Sequence, residues 1–392
     1  MRLRSSHTFP NGSTRPVGRM DRMSLNSRKI RASDAARAAG VDALLVTNLP
    51  DVRWLCGFTG SSAALVLPCP SPKSSRKAAR AVLFTDGRYI AQANAEAVGT
   101  QVVIATKPPL TEACEWIAAA RIKRCGFDQT QTTVAALANM RKSVPAKMRH
   151  SLFVALDPLV ARLRQIKDAD EITKLRAAAA LGCKLFDRIL TFIQPGMTEM
   201  AVAAELEHAA RLAGAEGMSF ETIIASGERS SRPHGHATLA KLPRRGFVTL
   251  DFGVLLDGYC SDMTRTIHIG PATKQERAAY DAVLEAQQAG VAAVRAGVVT
   301  GDVDEATRSV LRRAKLDQWF THSTGHSLGL EIHEEPRLAA KRTEKLKAGM
   351  IVTIEPGIYM PGKFGLRIED TVLVTRSGCE ILTPSPKAWI EL

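Results

Sequence analysis

Apolar positions in the first part of the chain come in short runs rather than in long periodic stripes. Asp42-Ala-Leu-Leu-Val-Thr, Ala63-Ala-Leu-Val-Leu and Ala81-Val-Leu-Phe-Thr read as short buried strands. Ser71–Arg80 is a polar, basic loop between two of them, and Asp86-Gly-Arg is a turn after the third. Tyr89–Ala97 and Leu110–Ala120 suit helices, with a strand at Val102–Ala105 between them. Strands alternating with helices predict an α/β domain over residues 28–160.

The rhythm changes at Asp168–Phe192, an alanine-rich amphipathic stretch that opens on an acidic turn and stops before Pro195-Gly196. A boundary between domains is therefore expected near 157–168. Further helices are predicted at 199–213, 274–295 and 303–315, the first of them ended by Gly214. Strands are expected at Ile223–Ala225, Gly246–Gly253, Tyr259–Ile269, Met350–Ile354 and Arg367–Val374. Helices interleaved with hairpins predict an α+β domain with an antiparallel sheet over 168–380, and 381–392 is read as a C-terminal tail.

Composition narrows this picture. The 392 residues exceed one comfortable core, and 45% apolar with 23% charged residues is the balance of a soluble globular chain. There is no run of eighteen apolar residues, so no membrane span is expected. Seven scattered cysteines without a C-x-x-C pair fit a reducing cytosol rather than a disulfide framework or a thiolate zinc site. Half of the net charge of +14 sits in residues 1–37, with nine Arg/Lys against two Asp. Residues 1–27 are therefore read as a basic disordered tail, not as a sign of specific nucleic-acid binding. The tail lacks a secretory apolar core, and its Arg-rich character leaves mitochondrial targeting as the minor alternative to the cytoplasm.

Candidate chemistry begins at Asp251-Phe-Gly-Val-Leu-Leu-Asp257-Gly258-Tyr-Cys-Ser-Asp262. Asp-Gly between apolar strands marks a two-residue hairpin turn. That turn sets Leu256 opposite Tyr259, Gly253 opposite Asp262 and Asp251 opposite Thr264. Asp251 and Asp262 then become diagonal neighbours on one face, roughly 7–8 Å apart at the backbone, with Gly253 leaving room beside the Asp262 carboxylate. Two carboxylates so placed can share metal ions roughly 3.5–4 Å apart. His322, His326 and His333 fall within twelve residues, in loop and strand broken by Gly325, Gly329 and Pro336. Glu355 and Glu369 flank a turn near Pro361-Gly362 that would bring them onto one face of neighbouring strands. A glutamate in the apolar setting Ile354-Glu355-Pro356 needs a cation or a proton. Four carboxylates and one imidazole suit Mn(II), Co(II), Fe(II) or Zn(II). Serine-nucleophile elbows, G-x-G-x-x-G loops and Walker-type loops are absent.

The order Asp251, Asp262, His326, Glu355, Glu369, each within its surrounding block, resembles the pita-bread metallopeptidases (family M24), over about 168–380. Asn48-Leu-Pro-Asp-Val-Arg-Trp-Leu-Cys-Gly-Phe and Phe84-Thr-Asp-Gly-Arg-Tyr resemble the creatinase/prolidase-type N-terminal domain, which points to the aminopeptidase P and Xaa-Pro dipeptidase (prolidase) branch. The resemblance implies a homodimer, two divalent cations, Mn(II) foremost, and a peptide substrate with proline at its second position. Those five residues would be the metal ligands, with Glu355 also the general base. It gives His234 (with His236 as its rival) and His333 the part of stabilising the transition state. His322 and Tyr359 would be substrate-pocket groups, and Arg367 would assist beside the last ligand. An aminopeptidase P-like activity is the leading expectation and prolidase the alternative, with a proline pocket expected between the domains. A metal-free pita-bread binding protein is the rival from another class.

Overall fold

The computed structural model describes residues 22–70 and 80–392. Six strands form the N-terminal sheet, in the spatial order Thr100–Ile104, Ala81–Thr85, Ala64–Pro68, Ala43–Val46, Cys125–Asp128, Phe153–Leu156. Ala64–Pro68 runs antiparallel to both of its neighbours and the other pairings are parallel. The three apolar runs seen in the sequence are thus central strands. The faces of the sheet build two cores, one around Trp54, Leu55 and Leu83, the other around Phe84, Ile117 and Met140. The last two strands and the helix Leu49–Cys56, which ends at a left-handed Gly57, had no clear periodic signal.

Two expectations about the chain ends need correction. A helix starts at Arg22, inside the stretch read as a disordered tail, and runs to Ala38. Its buried face is Leu25, Arg28, Lys29, Ala32 and Ala36. Two of those five are cationic: Arg28 is held by acids some 140 residues away and Lys29 by the Val98 and Gly99 carbonyls, so no apolar periodicity announces the helix. Residues 1–21 and most of the Ser71–Arg80 loop lie outside the described residues. The segment 381–392 is likewise packed rather than a loose tail. Leu382 is buried, Trp389 stacks on His268 with rings 5.2 Å apart, the Leu392 N–H donates to the His268 carbonyl, and the His268 N–H donates to the Ile390 carbonyl.

Two reciprocal capping boxes, Asp168 with Glu171 and Thr273 with Glu276, start the long helices Ala169–Phe192 and Lys274–Ala293. With Glu199–Leu212 and Thr300–Arg313 these helices cover antiparallel strands. Phe186, Ile189 and Leu206 pack on Val248, Leu250 and Ile267 in the largest of the cores. Every strand pairing between residues 217 and 381 is antiparallel among the described residues. The Asp257-Gly258 turn has φ of 49° and 78°, both left-handed, and it fixes the expected register: Leu256 faces Tyr259 and Asp251 faces Thr264. The reason offered for Gly253 is wrong, however. A Cβ there would lie 1.8 Å from the Ser261 carbonyl oxygen, so the glycine admits backbone, not the Asp262 carboxylate.

No described helix is long and apolar enough to cross a membrane. The two halves meet through buried charge. Arg28 bonds Asp168 at 2.8 Å, and Glu171 accepts from Trp54 Nε1 at 3.1 Å and from the Tyr259 hydroxyl at 3.2 Å. Arg164 bonds Asp51 at 2.7 Å and also pairs with Glu331 and Glu334. Replacing Arg164 by Leu strands Asp51 and Glu334 as buried acids without their guanidinium. It is expected to cost about 3–5 kcal/mol, read as a lower urea midpoint with an unchanged slope.

Candidate metal centre

Two hairpins bring four acids to one point. Asp251 lies near the end of the strand Gly246–Phe252, and Asp262 immediately precedes Met263–Ile269. In the second hairpin Ile354 faces Asp370 and Gly357 faces Arg367. The strand expected as Arg367–Val374 is therefore two, Phe364–Arg367 and Asp370–Val374. Continuing either register sets Glu355 opposite Glu369, in the break between them. Asp251, Asp262 and Glu369 each offer an oxygen, and these lie within 4.8 Å of one another. His326 completes the group, its Nε2 lying 3.5 Å from Asp262 Oδ2 and 3.4 Å from Glu355 Oε1. All five residues singled out by the sequence thus converge.

Local bonds aim these side chains. His326 Nδ1 lies 3.0 Å from the Ser327 carbonyl. A carbonyl can only accept, so the proton is on Nδ1 and the Nε2 lone pair faces the acids. Burial pushes His326 down to about 4, so the ring is neutral near pH 7. Thr353 Oγ1 donates to Glu355 at 3.2 Å and Thr264 Oγ1 donates to Glu369 at 2.8 Å. Arg367 ion-pairs with Asp251 and donates to the Tyr359 hydroxyl and to Thr264 Oγ1.

Burial and mutual repulsion leave three of the acids reluctant to ionise. Asp262 and Glu369 are raised well above the usual carboxylate range, first by burial and then by neighbouring acids. Burial lifts Glu355 to about 7, even against Arg367. One arginine does not balance four carboxylates, and Asp251 Oδ1 and Glu369 Oε1 are buried without any hydrogen-bond partner. Two divalent cations would bring +4 against the remaining −3 and would fill those oxygens. The donor set fits hard or borderline metals.

The acids form the floor of a cavity of about 400 Å³, lined also by Phe220, Ile332, His333 and Arg337. Every lining residue lies between 220 and 369, so the cavity belongs to the catalytic half and is not formed between the domains as expected. His234 and His333 stand exposed in its wall. The His333 ring lies edge-on to His326 with centroids 4.6 Å apart. His236 is at the rim beside Glu221, 3.4 Å away. His322 lines the cavity with both ring nitrogens engaged. Nδ1 donates to the Ser323 carbonyl at 2.8 Å and Nε2 accepts from the Tyr359 hydroxyl at 3.0 Å. Tyr359 does not line the cavity, and its hydroxyl is occupied in linking Arg367 to His322, so its expected place against substrate is corrected to a support. Arg367 reaches the wall, but its guanidinium is held by Asp251, Thr264 and Tyr359. The sequence reading missed Arg337, four residues after His333, whose guanidinium has no ion-pair partner among the described residues. It also missed Thr264 and Thr353, hydroxyls beside acids that leave no periodic signature.

Residues 28–166 match the creatinase/prolidase N-terminal domain and residues 173–376 match metallopeptidase family M24. The chain is 39% identical over 353 residues to the uncharacterized peptidase YqhT of Bacillus subtilis, spanning 90% of this chain and 96% of that protein. Among solved structures, the Xaa-Pro dipeptidase from Bacillus anthracis superposes with a TM-score of 0.88 at 38% identity, over 94% of this chain and all of that one. The X-Pro aminopeptidase from Thermotoga maritima does so with a TM-score of 0.82 at 31% identity, over 92% of this chain and all of that one. The converging acids, the cavity above them and these matches agree: the chain belongs to metallopeptidase family M24 and is a peptidase with a creatinase/prolidase domain ahead of its catalytic domain.

Proposed function

We propose that this peptidase cleaves the bond between an N-terminal residue and a following proline, using two divalent cations, Mn(II) foremost. Asp251, Asp262, His326, Glu355 and Glu369 are the ligands in this reading. The observation that carries it is the pair of unpartnered buried oxygens on Asp251 and Glu369 within a cluster of raised carboxyls. The Xaa-Pro preference rests on the similarity to the Bacillus anthracis and Thermotoga maritima proteins.

When bound, the cations supply Lewis acidity toward the scissile carbonyl and an acidified water. Glu355 takes up a proton on its carboxylate and delivers it to the proline nitrogen, a poor leaving group unless protonated. His234 and His333 donate to the carbonyl oxygen as charge builds there, a contribution of about 3–4 kcal/mol per donor at comparable sites. Arg337 adds a choice of substrate length. A guanidinium in the cavity wall with no ion-pair partner among the described residues favours a substrate whose C-terminal carboxylate lies close to the scissile bond, which is an Xaa-Pro dipeptide. The prolidase reading therefore gains over the aminopeptidase reading. Gly-Pro is expected to be cleaved faster than Gly-Pro-Gly-Gly, and Arg337→Leu to raise KM for Gly-Pro about tenfold or more while sparing the longer peptide. Equal rates on both peptides with no effect of Arg337→Leu would return the assignment to an aminopeptidase.

Asp262→Asn removes one of the crowded carboxylates. Turnover on Xaa-Pro peptides is expected to fall below detection, whereas the metal-free protein should gain on the order of 1 kcal/mol, as strained sites do when relieved. Melting in EDTA together with a peptide assay checks both halves.

The raised carboxyls also fix the sign of a pH effect. Groups with folded values above their unfolded ones stabilise the fold at low pH, and that contribution is lost as pH rises from about 4.5 through the folded values, about 7 for Glu355. The metal-free protein should thus lose Tm between pH 5 and pH 8. The Tm gain on adding Mn(II) should grow over the same interval, because the ligands must be ionised. A gain that shrinks with pH would count against the ligand assignment.

A further inference from the structure

A buried cluster connects the N-terminal domain to the loop that carries two of the site histidines. Lys167, in the linker between the domains, is buried, and its Nζ makes two side-chain bonds. One, at 3.0 Å, goes to Glu334 Oε2, the side chain next to His333. The other, at 3.3 Å, goes to the hydroxyl of Ser327, whose carbonyl accepts the His326 Nδ1 proton. Ser327 Oγ in turn donates to the Ile351 carbonyl at 2.8 Å. The second Glu334 oxygen is held by Arg164, which is tied to Asp51 of the N-terminal domain, and by the Glu331 N–H at 3.2 Å. A Cβ on Gly329 would stand 2.8 Å from that carboxylate, so the glycine lets Glu334 seat close against the backbone. Between the two histidines Leu330 packs onto the N-terminal core around Val52, Leu55 and Val160.

We propose that Lys167 is a positioning residue for the reaction: through Ser327 and Glu334 it fixes His326 and His333 relative to one another, making the N-terminal domain the support of the metal centre rather than a separate module. One ammonium reaches both neighbours of the histidines, and the loop between them has no other charged anchor among the described residues than Lys167 and Arg164. Such supporting bonds typically govern metal affinity by about 10–100-fold, and small displacements of catalytic groups can cost on the order of a hundredfold in rate. The inference rests on the two-cation peptidase reading above.

The test uses the full chain, with Mn(II) titrated calorimetrically and Gly-Pro as substrate. Lys167→Met is expected to raise the Mn(II) Kd about 10-fold or more, and to lower kcat at saturating Mn(II) with little change in KM. Lys167→Arg should recover part of both. Asp168→Ser keeps an N-cap hydroxyl but removes the shortest of the Arg28 ion pairs at the same interface, leaving those to Asp170 and Glu171 at 3.7 Å. It should lower Tm while leaving Kd and kcat at wild-type values. If Lys167→Met lowers Tm but leaves Kd and kcat unchanged, as the control does, the lysine is merely structural and the proposal is overturned. Should Lys167→Met fail to fold, Ser327→Ala carries the test, since it removes the hydroxyl on which the ammonium rests, together with that hydroxyl's bond to the Ile351 carbonyl. An unchanged Kd and kcat there overturn the proposal equally. A wild-type protein that neither binds Mn(II) nor cleaves Gly-Pro would instead sink the underlying reading, and that outcome is seen before any variant is compared.

Discussion

Four carboxylates are crowded into a buried floor with a single guanidinium among them, and the rest of the structure can be understood as holding that arrangement closed. Left to themselves, Asp262, Glu355 and Glu369 would turn to water or take up protons. Divalent cations offset the repulsion, but only if the oxygens are already converged when the ions arrive. The convergence is built into strand register. One hairpin places Asp251 opposite Thr264, the other places Glu355 opposite Glu369, and Thr264 bridges the two by donating to Glu369. Arg367 partly discharges Asp251 and, through Tyr359, locks the His322 ring.

A second layer of charge braces the segments that carry these groups. Glu199, fully buried, accepts from Ser226, Arg229 and Thr238 and so ties together both ends of the loop bearing His234. Asp304 accepts from Thr324 and Arg308, while Arg308 reaches the His322 carbonyl. Asp370, next to Glu369, is surrounded by Arg265, Gln287, Thr383 and Lys387. Glu334 is held by Arg164 and Lys167, and these cations, with smaller help from hydrogen bonds, outweigh its burial and keep its carboxyl down at about 2. Buried ion pairs are weak evidence for stability in general. Here each braces a segment that bears a metal-facing or cavity-lining side chain, which gives such pairs a specific geometric purpose.

The domain interface belongs to the same scheme. Asp51, Arg164 and Lys167 come from the N-terminal domain and its linker, and Glu334 from the histidine loop. Arg28 and Trp54 meet the start of the long catalytic helix at Asp168 and Glu171. Among the described residues the N-terminal domain contributes no wall to the cavity, yet its charges meet the loop that does.

The sequence by itself determined the central strands, the long helices and the Asp257-Gly258 register, because alternation, capping residues and an Asp-Gly turn act over a few neighbouring positions. It also marked the four acids and a cluster of three histidines, conspicuous without any structure, while the choice of His326 among the three came from the resemblance to the M24 blocks. Only the tertiary structure decided the rest. The helix from Arg22 was hidden because its buried face is partly cationic and finds its acids at 168–171. The closing segment 381–392 was hidden because its order comes from His268 and Arg265, more than a hundred residues away. The cavity lies wholly in the catalytic half, Tyr359 stands behind the site instead of inside it, and Arg337 stands in its wall. Each of these depends on long-range packing and on where a charge finds its partner, which local pattern does not encode.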